Sequence, residues 1–254
     1  MEVHHHPDIG HGRKKLKEYF LEFLMIFLAV TLGFFAESLR EFVGDREKER
    51  QYMLSLAEDL RKDTAALHYS LRRLRGDLQS AHRLVILVAG HGMDTLSDDQ
   101  LQIQTLSAGF SVDIVFNDRT ASQLKSSGSI RLIRHKSIAD SILQYWNNQI
   151  SISQIHERFE TVRMEHHKLG YRLFSWYKYY FQYGMGTDSL VVKKMPVRKK
   201  ITQEQSDEFL NICGNLYNAG FGQYLPVLER QLKLATDLIG QIQNNYKIET
   251  EPAR

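Results

Sequence analysis

Residues 19–36 read YFLEFLMIFLAVTLGFFA, apolar throughout except for Glu22 and the small polar Thr31. A helix needs about 20 predominantly apolar residues to cross a hydrocarbon core about 30 Å thick. The sequence therefore predicts a single membrane span at 19–36, preceded by a basic tail at 1–18 and followed by an extramembrane domain at 37–254. The basic cluster Arg13, Lys14, Lys15 and Lys17 resembles the start of a signal peptide, but bulky Phe34 and Phe35 precede Ala36 where cleavage needs small residues. The helical pattern also continues without a break into ESLREFVGDREKER, which favours an uncleaved anchor. The same basic cluster, crowded on the short N-terminal side, predicts a cytoplasmic N-terminus and a periplasmic C-terminal domain at the inner membrane. Arg40, Arg46, Lys48 and Arg50 beyond the span make that charge bias modest. Glu22 lies about one turn inside the apolar run and reads as an interfacial carboxylate rather than a proton relay.

Charged residues make up 25% of the whole chain and its net charge is +3, so most of the protein is water-soluble in character. That balance offers no argument for nucleic acid as a partner. One cysteine, Cys213, excludes an intrachain disulfide.

Leucine-rich heptads follow the span. Met53, Leu60, Leu67 and Leu74 recur every seven residues, with Ala57, Thr64, Leu71 and Leu78 at the offset positions. Such spacing makes an apolar seam that must face another helix, in the manner of a coiled coil. One long helix is expected from Ser38 to Val88, ended by Gly90-His91-Gly92, with Asp59, Arg61, Lys62, Arg72, Arg73 and Arg75 on its solvated face. Ser97 to Gln100 forms a capping box for a medium helix reaching about Val115. Asn117 or Asp118 caps a short helix that stops at Ser126-Ser127-Gly128. A second long helix is expected from Ser137 to Tyr183, with a stripe through Ile138, Ile142, Tyr145, Ile152, Ile155, Phe159, Val162, His166, Leu169, Leu173, Trp176 and Tyr180. Thr202 to Gln205 caps a further helix, and the last helix follows Pro226 with Leu228, Leu232, Ala235, Leu238 and Ile242 facing inward. The expected fold is all-α: an N-terminal transmembrane helix continuing into a long-helix antiparallel bundle. Antiparallel pairing of the two longest helices would bring the aromatic segment WYKYYFQY at 176–183 back toward lipid, with the basic loop from Lys193 to Lys200 beside it.

The start MEVHHHP and the run KEYFLEFLMIFLAVTLGFFAESLRE resemble a family of bacterial membrane proteins carrying a domain of unknown function. The resemblance is strongest over residues 1–65 and looser at LKSSGSIRLI, residues 124–133. It implies a Gram-negative envelope protein with an N-terminal anchor, and supplies no activity, cofactor or catalytic residue.

No catalytic or cofactor-binding constellation is legible. His4, His5 and His6, with His11 nearby, are the nearest approach to a metal site. Adjacent imidazoles on a tail are not preorganised, however, and nothing completes the coordination. His156-Glu157 and Glu165-His166-His167 fall short of HExxH, in which two histidines one turn apart hold a metal. His166 lies on the apolar stripe and reads as a core residue. The chain is therefore expected to be a non-enzymatic interaction or scaffold module, with the lipid bilayer as partner through 19–36 and a protein partner or a second copy elsewhere. A periplasmic ligand sensor or a membrane-anchored hydrolase are the alternatives.

Overall fold

Helix α1, Leu16–His91, is unbroken for 76 residues. It belongs to a computed structural model that describes residues 16–97, 101, 105, 113–175 and 200–248. The chain divides into two units, 1–51 and 52–254. In the first, α1 contains an 18-residue window long and apolar enough to cross a membrane, none of it buried among the described residues. Thr31 donates to the Phe27 carbonyl at 2.8 Å, so its hydroxyl is satisfied within its own helix. Past the apolar stretch, Arg40 pairs with Glu37 at 2.5 Å and Arg46 with Glu49 at 2.5 Å.

The second unit is an all-α bundle, with no strand among the described residues. The rest of α1 is followed by a 3-10 turn (Met93–Thr95), α2 (Arg119–Ser126), a second 3-10 turn (Ser129–Leu132), α3 (Lys136–Leu173), α4 (Gln203–Ala219), a π-helical turn (Gly220–Tyr224) and α5 (Leu225–Tyr246). Gly92, at φ +81°, ends α1 in a conformation that costs a glycine little.

Three apolar layers set the directions. Met53, Leu56 and Leu60 of α1 pack with Ile138 and Ile142 of α3 and with Leu238 and Ile242 of α5. Leu67, Leu71 and Leu74 pack with Ile152 and Phe159 and with Leu225 and Leu228. Leu84 and Val88 pack with Leu169 and Leu173 and with Phe209 and Cys213 of α4. So α1 and α3 run parallel, and the α4–α5 arm runs antiparallel to both. The stretch between α1 and α3 returns the chain along the bundle: Met93 and Leu96 lie in the third layer, Ile114 and Phe116 against the second, and Ala121 and Leu124 in the first.

This corrects the expected pairing of the two longest helices. Leu173 and Phe174 lie in the layer of Leu84 and Val88, at the end of α1 far from Met53. α3 also stops at Leu173, where Phe174 turns extended, instead of continuing to Tyr183. The aromatic segment 176–183, the basic loop up to residue 199 and most of the helix expected over 97–115 lie outside the described residues. Leu101 and Thr105 are helical, while residues 113–118 are not.

α4 begins with the expected capping box: the Gln205 amide donates to Thr202 Oγ1, and Gln205 Oε1 accepts from the Thr202 amide. α5 carries Pro226 in its first turn, as expected. The π turn carries the chain from α4 into α5, with the Leu225 N–H donating to the Gly220 carbonyl five residues back. A proline ring inside a regular α-helix clashes with the carbonyl four residues before it. Widening one turn accommodates Pro226 without a break.

Candidate functional site

The π turn also shapes one feature of the bundle surface. Gly220 lies so close to α1 that a Cβ there would stand 2.2 Å from Leu78 Cδ2. Beside this contact, α1 and the α4–α5 arm enclose a cleft of about 470 Å³. Its wall is a column of rings. His82 stacks on Tyr217 at 4.7 Å between centroids, and Tyr217 stacks on Phe221 at 5.4 Å with planes 13° apart. Phe221 ends the column half-exposed, and Leu225 and Pro226 continue the apolar lining. At the rim, Arg75 donates to Glu229 at 2.6 Å, both about half-exposed. That ion pair divides the cleft from a second one of about 430 Å³, reached by His68, Arg72 and Lys233. An apolar body with a few polar groups at its edge is the usual make-up of a recognition pocket. Besides Arg75 and Tyr217, the titratable groups lining the first cleft are His82 and Glu229. The former is stacked and the latter held by Arg75, so they do not form an acid–base pair.

Below the cleft, a buried polar network ties the elements together. Asp63 of α1 accepts from the Asn117 amide and Nδ2, each at 2.8 Å, and from the Tyr145 hydroxyl at 2.6 Å. Asp59, one turn earlier, accepts from the Thr120 amide at 3.2 Å and hydroxyl at 2.6 Å, and pairs with Arg119 at 3.3 Å. Asp59 was expected on the solvated face and is instead 3% exposed. Its role explains the burial. Thr120 is the second residue of α2, so a carboxylate of α1 satisfies a free N–H at the α2 terminus and complements its dipole. Asp118, the expected cap, occupies the N-cap position without a side-chain cap bond. The network extends through Gln231, which donates to the Tyr145 carbonyl, and Asn148, which donates to Gln231 Oε1 and the Val227 carbonyl. Burial raises the Tyr145 hydroxyl, and the Asp63 charge raises it further, so it remains a donor.

Among the described residues, the histidines singled out in the sequence do not form a metal cluster. His156 meets the Tyr224 hydroxyl at 3.0 Å and lies 3.6 Å from Asp113. Tyr224 is buried, and that burial together with nearby Glu160 and Asp113 raises its hydroxyl. This disfavours the phenolate that nucleophilic chemistry would need. Glu160 pairs with Arg163. His166 is 1% exposed, stacks on Phe209 at 5.8 Å, and neither ring nitrogen has a hydrogen-bond partner. Burial, and then the neighbouring His167 and Arg163, depress it to about 4, so it is neutral at pH 7. Cys213 is buried, which raises its thiol and removes it from redox or nucleophilic chemistry. His4, His5, His6 and His11 lie outside the described residues, among which no cluster of three or more His, Cys, Asp or Glu has the geometry of a metal site.

Comparison with protein-family models, curated proteins and solved structures finds no match for this chain.

Proposed function

We propose that this chain is a single-pass, membrane-anchored interaction module of the Gram-negative envelope, with its N-terminus cytoplasmic and its bundle periplasmic. The observation that carries the reading is the apolar window of α1, none of which is buried among the described residues. Removing such a surface from water is worth about 25 cal/mol per Å², so a helix of this kind needs lipid or another protein around it. The ring-lined cleft gives the bundle a surface suited to an apolar anchor from a partner. The resemblance of residues 1–65 to bacterial membrane proteins supports the envelope assignment.

The test has two arms. Membranes washed with alkaline carbonate should retain the protein, and reporter fusions at the C-terminus should be active in the periplasm and silent in the cytoplasm. Carbonate release defeats the anchor, whereas cytoplasmic reporter activity defeats the orientation alone. In-cell crosslinking from a photoreactive residue at Phe221, compared with one at exposed Lys62 on the charged face of α1, should capture a partner protein only from the cleft. The cleft volume favours a second reading, a sensor of a small apolar ligand. Capture of no protein at Phe221, with ligand-dependent protection of that residue, would select it.

A further inference from the structure

One end of the bundle carries positive charge that its own carboxylates do not match. From Arg119 to Ala139 the sequence holds Arg119, Lys125, Arg131, Arg134 and Lys136, and no Asp or Glu. Arg119 is held by Asp59 of α1. The other four lie between the last turn of α2 and the first turn of α3, and all four are exposed. Leu124, Ile133 and Ile138, close to them in the chain, are buried in the first apolar layer, so the cations stand at that end of the bundle. Along its sides several cations are matched: Lys62 pairs with Glu58, Arg75 with Glu229, Arg172 with Glu208 and Lys233 with Asp237. At this end Lys125 lies over the Trp146 ring at 4.3 Å, and Arg131 and Lys136 have no carboxylate partner among the described residues. Asp140 of α3 is the nearby acid, while Asp118 stands at the opposite end of α2. Glu249 and Glu251, which follow α5 in the sequence, are offset by Lys247 and Arg254. The end is therefore net positive.

We propose that this basic end docks on the anionic phospholipid headgroups of the membrane that holds the anchor. Met53 lies in the same first layer, and the second unit begins at residue 52, so this is the end at which the chain from the apolar window arrives. Residues 37–51 alone separate the expected span from that unit. The tether thus keeps a lipid surface beside these cations and beside no other part of the bundle as consistently. A Lys or Arg close to an anionic lipid surface gains about fivefold in an equilibrium constant, an attraction that fades over a Debye length of about 8–10 Å. Such gains are modest singly, but a tethered site meets the surface at high effective concentration, so a few cations suffice. The contact is one of charge with phosphate, and it is sensitive to salt. This docking rests on the anchored reading of residues 19–36 and holds whichever leaflet the bundle faces.

The experiment uses the full chain, reconstituted into vesicles of phosphatidylcholine or of equal parts phosphatidylcholine and phosphatidylglycerol. A fluorophore is placed on Ser126→Cys, at the basic end, or on Ala89→Cys, in the last turn of α1. Both positions are exposed, and buried Cys213 stays unlabelled. Quenching by acrylamide, a neutral aqueous quencher, reads shielding from water. The Ser126 label should be quenched about threefold less, or better, in the phosphatidylglycerol vesicles, and the Ala89 label equally in both. High salt should remove the difference. Arg131→Glu combined with Lys136→Glu should abolish the protection with unchanged circular dichroism, because both side chains are exposed. Equal quenching of the Ser126 label in the two lipids, protection that survives the double substitution, or crosslinking in cells from Ser126 to an acidic protein in place of lipid overturns the proposal. Carbonate extraction of the same vesicles separates the two claims. Release of a chain that showed the protection defeats the anchor alone, and retention without the protection defeats the docking alone.

Discussion

Replacing His166 with leucine should flatten one component of the acid sensitivity of the bundle, by an amount that the burial of the ring sets. The imidazole ordinarily titrates near 6.5 and is depressed to about 4 in the folded chain. A depressed base is stabilising only while neutral. Its contribution is intact above about pH 6.5 and is lost as pH falls from there toward 4, because the unfolded chain binds the proton first. At pH 4.5 the linkage amounts to about 2–3 kcal/mol, and at pH 7 it is close to zero. Asp77 acts in the opposite sense. Burial raises it to about 6 against the pull of Arg73, so its contribution is fully present below about 3.8 and is lost as pH rises through 6. The two nearly offset each other in the wild-type chain, which hides both. The difference between variant and wild type isolates the histidine. Guanidinium melts of the detergent-solubilised chain, followed by circular dichroism at pH 7 and pH 4.5, provide the readout. His166→Leu should lie within about 1.5 kcal/mol of wild type at pH 7, since leucine fills the site and removes two unpartnered nitrogens. It should be about 2–3 kcal/mol more stable than wild type at pH 4.5. An equal difference at both pH values would refute the reasoning, because it would mean that the ring is not protonated on unfolding or is already charged in the fold.

Three further outcomes are expected. Gly220→Ala should cost about 1–3 kcal/mol through overpacking against Leu78, and a double-mutant cycle with Leu78→Ala should show the pair to be non-additive, since the clash needs both side chains. Asp63→Ala should cost at least about 3 kcal/mol by stranding three donors, against about 1–2 kcal/mol for Tyr145→Phe, which removes one; equal costs in denaturant melts would contradict that ordering. Thr202→Ala should cost about 1 kcal/mol, with faster amide exchange confined to the first turn of α4; a change spread over all helices would show that the cap does more than start one helix.

Much of the bundle could be read from spacing because burial follows helical period. Met53, Leu60, Leu67 and Leu74 are fully or nearly fully buried, as are Ile138, Ile142, Leu169 and Leu173. The capping box at Thr202 was equally plain, being a local exchange between residues three apart. What spacing does not carry is direction. Two helices with good seams pack whether parallel or antiparallel, and the choice here depends on how the stretch from 92 to 135 returns the chain. The buried carboxylates were hidden by chemistry, not by position. Asp59, Asp63 and Asp77 sit three or four residues from Leu56, Leu60, Leu67, Leu74 and Ala81, on the seam itself, but an acidic residue reads as solvated until its partners are known. Asn148 and Gln231 were passed over for the same reason, although both lie three residues beyond seam members Tyr145 and Leu228. The cleft was out of reach because it depends on a π turn that nothing but Pro226 announces.

The parallel course of α1 and α3 fixes an order of events during synthesis. A ribosome delivers α1 first, and domains generally organise from the N-terminus as the chain appears. The first side-chain partner of Asp63 comes 54 residues later, and the partners of Leu78 and Arg75 not until the Gly220 to Glu229 stretch. Until the stretch from 93 to 124 and then α3 are made, the inward side of α1 lacks its partners. Its carboxylates at 59, 63 and 77 break the apolar seam during that wait, keeping a nascent helix compatible with water until α2, α3 and the returning arm are made.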